Sequence, residues 1–185
     1  MINFFYTGAT KDNLVQSSSS YSLGGVVATS QVPNNRLDNI FGSVARSPEL
    51  GLEDEFVAIV MKNVSGADIL NLTVYIDTPA ASTSDFEIAI VSVAENASCP
   101  GIFYIEQIPD RYSQPMVGAF VNYTSVSKGS IGAFAADAQL GIWVKRTSSG
   151  TALDSCAALA AAYELDSTVT KLSESIEQIG LVFEY

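Results

Sequence analysis

The sequence predicts an all-β chain folded as an antiparallel β-sandwich, of Ig-like or jelly-roll-like architecture. Three observations predict it. Seven or eight short runs are either alternating or wholly apolar, each closed by a turn signal. Clear helical periodicity is confined to one connection. Strands do not alternate with helices as a parallel α/β sheet requires. The 185 residues suit one core, so 1–185 is read as a single sandwich domain with long loops.

"INFFY" (residues 2–6) opens as a short apolar strand, and the polar loop "TKDNLVQSSSS" follows. "YSLGGVVATSQV" reads as a second strand, with Gly24-Gly25 marking a bulge or a close backbone approach. Pro33-Asn34-Asn35 breaks it. The next connection places Leu37, Ile40, Phe41 and Val44 at i, i+3, i+4 and i+7, which predicts a short helix over 35–45. Asn35 serves as its N-cap, while Gly42 and Pro48 limit its length. A sandwich is open at its ends, so this apolar stripe reads as an end-plug. The competing reading turns the same four residues outward as a subunit interface.

Phe56–Lys62 is apolar on both faces, as a strand buried on both sides should be. After the turn signal at residues 64–68, Leu70, Leu72, Val74 and Ile76 alternate with polar or half-polar neighbours. Two strands and one short loop predict a β-hairpin. "DFEIAIVSVA" and "GIFYI" are further strands. Residues 106–137, rich in Pro and Gly, read as an irregular insertion in which pieces such as "VGAFVNY" can still pair. "AQLGIWVKRT" returns to a strand, with Leu140, Ile142 and Val144 on one face and Trp143 and Lys145 on the other. The Ala-rich stretch 154–165 fits helix and irregular loop equally. "IEQIGLVFEY" closes the chain as a strand, with Ile179, Leu181, Phe183 and Tyr185 alternating.

Composition narrows function more than any motif does. Nine Lys and Arg oppose 20 Asp and Glu, a formal net charge of −11, and the cations do not cluster beyond Lys145-Arg146. Such a chain repels phosphate backbones, so sequence-specific nucleic-acid binding is not expected. Charged residues make up 16% of the chain against about 25% in an ordinary soluble domain. The mean hydropathy of +0.24 agrees. No apolar run approaches the ~18 residues that span a bilayer, and "MINFFYTG" lacks the cationic start of a signal peptide. No membrane partner is expected. A chain so lightly charged is read as one that hides surface against neighbours.

Catalytic chemistry finds little footing. The chain has no histidine, which removes the commonest general base and the most frequent zinc ligand. Glycine-rich phosphate loops, nucleophile elbows and C-x-x-C pairs are absent from the sequence. Cys99 and Cys156 read as free thiols. The sequons at Asn63, Asn71, Asn96 and Asn122 read as the product of an Asn/Ser/Thr-rich chain. Glu53-Asp54-Glu55 lacks the spacing of a calcium loop and reads as a solvated strand entrance. Trp143, Lys145 and Arg146 form a candidate ligand-stacking spot, with core packing of the indole as the simpler reading. No catalytic residue, metal site or cofactor is expected.

Several segments together resemble a layout found in tailed-bacteriophage structural proteins. These are "QSSSSYSLGG", "VPNNRLDNIFGSV", "EDEFVAIVMKNVSGADILNLTVYID", "GIWVKR" and "GLVFEY". The proteins resembled are small β-sandwich virion components encoded among head–tail connector and tail genes, including those of crAss-like phages. The likeness covers about half the chain, mainly residues 16–77. It implies a non-enzymatic virion subunit in many copies, a ring, neck or tail component at the head–tail junction, whose partners are other virion proteins and copies of itself. A carbohydrate-binding or adhesin module is the alternative, since sandwiches also support that role. A glycan-active enzyme using two carboxylates ranks last.

Overall fold

The structure, a computed structural model, describes residues 1–33, 40–41, 53–77, 84–116, 118–148, 160–163, 169–173 and 180–185. It is all-β and antiparallel. A four-stranded sheet is ordered β1 (Ile2–Tyr6), β3 (Glu53–Asn63), β9 (Gln139–Ser148), β5 (Ser84–Ser92). A five-stranded sheet is ordered β10 (Ala160–Tyr163), β11 (Val169–Ser173), β12 (Gly180–Glu184), β4 (Ile69–Asp77), β8 (Gly129–Phe134). A small third sheet is ordered β2 (Gly25–Val26), β7 (Phe103–Ile105), β6 (Ala94–Glu95). Among the described residues, no helix is long and apolar enough to cross a membrane.

The four-stranded sheet is buried on both faces, as the doubly apolar run in β3 requires. Val57, Ile59 and Met61 join Ile142 and Val144 of β9 against Leu72 and Val74 of β4 and Phe183 of β12. This is the sandwich core. Phe56, Ala58 and Val60 point the other way, joining Trp143, Ala89 and Ile105 in a second core under the small sheet. The two-sheet sandwich expected from sequence therefore carries a third layer.

Residue size sets the fit within that second core. Trp143 lies in register between Ala58 of β3 and Ala89 of β5, so the largest side chain is flanked by two of the smallest. Gly141 works similarly: a Cβ there would stand 2.6 Å from Val91 and 2.9 Å from Ile105.

The expected hairpin does not form. β3 pairs with β1 and β9, while β4 pairs with β12 and β8, so the connection after Asn63 crosses from one sheet to the other. Asn63 holds the corner. Its side-chain amide, fully buried, donates to the carbonyls of Ala67 (2.8 Å), Phe134 (3.0 Å) and Ala135 (3.0 Å). Its Oδ1 accepts from the backbone N–H and hydroxyl of Ser65. A further correction follows in β4: Ile69, not Leu70, is buried. Asn71 adopts φ 59°, and the pairing with β8 shifts register there, so the alternation slips by one residue.

Other readings change in detail. "YSLGGVVATSQV" contributes a 3-10 turn at Ser19–Tyr21 and only the two-residue β2. Residues 106–137 contain β8, and Val121 bridges Ile88 to cover the edge of β5. Within the Ala-rich stretch 154–165, the described residues Ala160–Tyr163 form the strand β10, whose backbone pairs with β11. The helix expected over 35–45 lies outside the described residues except for Ile40 and Phe41.

Gly24 confirms the close approach expected of the glycine pair. It has φ +81°, and a Cβ would meet the Glu106 carbonyl at 1.7 Å. Beside it, the chain extends the hydrogen bonding of β3 after β1 ends: the Ala58 N–H donates to Ser22 O (2.8 Å) and the Phe56 N–H to Arg111 O (2.7 Å).

Candidate functional site

The proposed ligand-stacking spot is not a surface. Trp143 is fully buried beneath the small sheet, where no ligand reaches its ring, and its Nε1 has no hydrogen-bond partner. Lys145, on the inner strand β9, bridges Glu87 (2.9 Å) and Asp54 (3.2 Å). Burial draws its pKa down, but the hydrogen bonds and charges of Glu87 and Asp54 outweigh that and raise it. Arg146, on the opposite face, is buried in the sandwich. Successive strand residues point to opposite faces, so Trp143 and Lys145 never share a site with Arg146.

Arg146 joins the plug and the acidic run instead. Its Nε donates to Glu55 Oε2 at 2.8 Å, its Nη2 contacts the same oxygen, and Arg111 Nη1 reaches Glu55 Oε1 at 3.4 Å. The guanidinium lies 4.6 Å from the centre of the Phe41 ring, which also meets Phe86 edge-on. Ile40 and Phe41 are fully buried in the sandwich core. Leu37 and Val44 lie outside the described residues. Of the acidic run, Asp54 keeps 41% exposure at the strand entrance, whereas Glu55 does not face solvent. Asp54 is held by Lys145 and Thr147, and Glu55 is buried between two arginines. Among the described residues, no three His, Cys, Asp or Glu side chains gather as a metal site would need. Cys99 is a free, half-buried thiol.

A groove that sequence reading missed opens at the far end of the second core. Its floor is the central sheet, where Phe5 of β1 lies beside Lys62 of β3 and its register partner Gln139 of β9. Val27, Ala28 and Thr29 line it together with Gly101, Ile102 and Phe103, the two segments joined where the Val27 N–H donates to Phe103 O (2.9 Å), and Leu14 completes the lining. The groove exists because the strands of the small sheet have only two or three residues, too short to cover the ten- and eleven-residue strands beneath. Its volume is about 370 Å³. Lys62 is the one cation in this lining, half-exposed, with exposed Asp137 at 3.6 Å. The signal was available: Lys62 interrupts the apolar run "EFVAIVM" on the face that Phe56, Ala58 and Val60 share.

No protein-family model, curated protein or solved structure matches the chain. The functional reading therefore rests on its surfaces.

Those surfaces carry large apolar groups on hydrogen-bonded turns. Val126 stands 96% exposed at the tip of a turn closed by reciprocal backbone bonds between Thr124 and Ser127, both 3.1 Å. Met116, 92% exposed, is held where its N–H donates to Glu106 Oε1 at 2.9 Å. Tyr112 sits in a turn in which Asp110 Oδ1 accepts from the N–H groups of Tyr112 and Ser113. Tyr21 occupies the 3-10 turn. These two turns adjoin, because Ser22 and Arg111 accept from N–H groups two residues apart on β3.

Proposed function

We propose that the chain is a non-enzymatic structural subunit of a tailed-phage virion, assembling through protein–protein contacts as a ring, neck or tail component at the head–tail junction. One observation carries the assembly part: exposed Val126, Tyr21 and Tyr112 are presented on closed turns, and exposed Met116 is tied at its N–H to Glu106. Large apolar groups held in place lose little freedom on docking, so they favour association. A charged fraction of 16% leaves the exterior few groups that oppose such contacts. The virion part rests on the segments that resemble phage structural proteins. An acidic subunit of this kind does not grip packaged DNA.

Mass spectrometry of purified particles from the phage that encodes the chain tests the proposal. The expected result is the chain as a component present in multiple copies per particle. Its absence from intact particles overturns the proposal.

The adjoining exposed Tyr21 and Tyr112 favour one second reading, a carbohydrate-binding module, since paired tyrosines can stack on sugar rings. Glycan-array binding that disappears in Tyr21→Ala and Tyr112→Ala would select it; an array without hits removes it.

A further inference from the structure

We propose that the groove over Phe5, Lys62 and Gln139 is a binding site for a small amphiphile with an apolar chain and a carboxylate head. Phe5, Val27, Ile102 and Phe103 supply apolar and aromatic walls, and a volume of about 370 Å³ lies within the range of small-molecule sites. The polar groups on the floor are few and adjacent. Lys62 and Gln139 face each other across β3 and β9, so an ammonium and a side-chain amide can both donate to one carboxylate. In a chain of net charge −11 an anion needs a local cation, and Lys62 is the one that lines the groove. Its contact with Asp137 does not block the role: at 3.6 Å to a carboxylate 80% exposed, the pair is long and water-screened. A bound carboxylate half-shielded by the walls replaces it. The inference is independent of the assembly reading.

The test uses the full chain with dodecanoate below its micellar concentration and dodecanol below its solubility limit, followed by amide chemical shifts and calorimetry. Dodecanoate should bind saturably at one site, shifting residues 27–29, 62, 101–103 and 139, and at least about tenfold more tightly than dodecanol. Lys62→Gln should remove most of that preference, and Thr29→Trp, which fills the groove from its wall, should abolish binding. Non-saturable binding, equal affinity for acid and alcohol, or affinity unchanged by both variants overturns the proposal. The acid–alcohol comparison needs no variant, so a misfolded substitution does not shield the idea.

Discussion

The guanidinium of Arg146 lies between the carboxylate of Glu55 and the ring of Phe41, 2.8 Å from the first and 4.6 Å from the centre of the second. Both charged groups are buried, at 2% and 4% exposure, so neither tolerates loss of the other. Arg146→Met should destabilise the fold by about 3–5 kcal/mol, because Glu55 then stays buried with only the longer Arg111 contact. The double variant Glu55→Met/Arg146→Met should recover much of that loss, since the one charge it deprives of Glu55, Arg111, is 19% exposed and reaches water. Urea unfolding of the single and double variants measures the difference.

Trp143 is the chain's one tryptophan, so its fluorescence reports on a single position. Buried under the small sheet, it should emit at the blue end of the indole range and resist quenching by iodide. A red-shifted, readily quenched emission would restore the surface position that sequence alone allowed.

Asn63 ties the corner between the sheets through three backbone carbonyls. Asn63→Ala leaves those acceptors without their side-chain donor and should cost at least about 1–3 kcal/mol in chemical denaturation. Asn71, exposed in its left-handed conformation, is the control: Asn71→Gly should leave stability nearly unchanged, as glycine adopts that φ freely.

Lys145 has its pKa raised by Glu87 and Asp54 against the pull of burial. A raised folded-state pKa means that its contribution is complete below the unfolded lysine value of about 10.4 and fades as pH climbs through the folded value. The stability gap between the native chain and Lys145→Met should therefore be constant from pH 7 to about 9 and narrow in more alkaline solution. Paired thermal melts across that range measure it.

Much of the fold was legible because strand periodicity is local. β1, β5, β7, β9 and β12 follow from their own short apolar or alternating runs, and the two apolar faces of β3 already require cover on both sides. The hairpin was misread because a short turn can return a chain to its own sheet or lead it across to another. Here the choice rests on carbonyls of Phe134 and Ala135, about seventy residues beyond Asn63, which no local pattern displays. Leu70 was misplaced for a related reason, since only the pairing with β8 reveals the bulge at Asn71. Of the candidate site residues, Ile40 and Phe41 lie in the core. Trp143 and Arg146 are three residues apart in the sequence but lie on opposite faces of the pleat. The groove escaped notice because it is made by what the short third layer leaves uncovered.

Sedimentation equilibrium of the purified full chain over a wide concentration range tests the assembly claim most directly. The expected mass is a discrete multiple of 19.6 kDa, returning toward the monomer in Val126→Asp and Met116→Glu variants. A particle of 19.6 kDa at every concentration, well dispersed and unaffected by those substitutions, would contradict it.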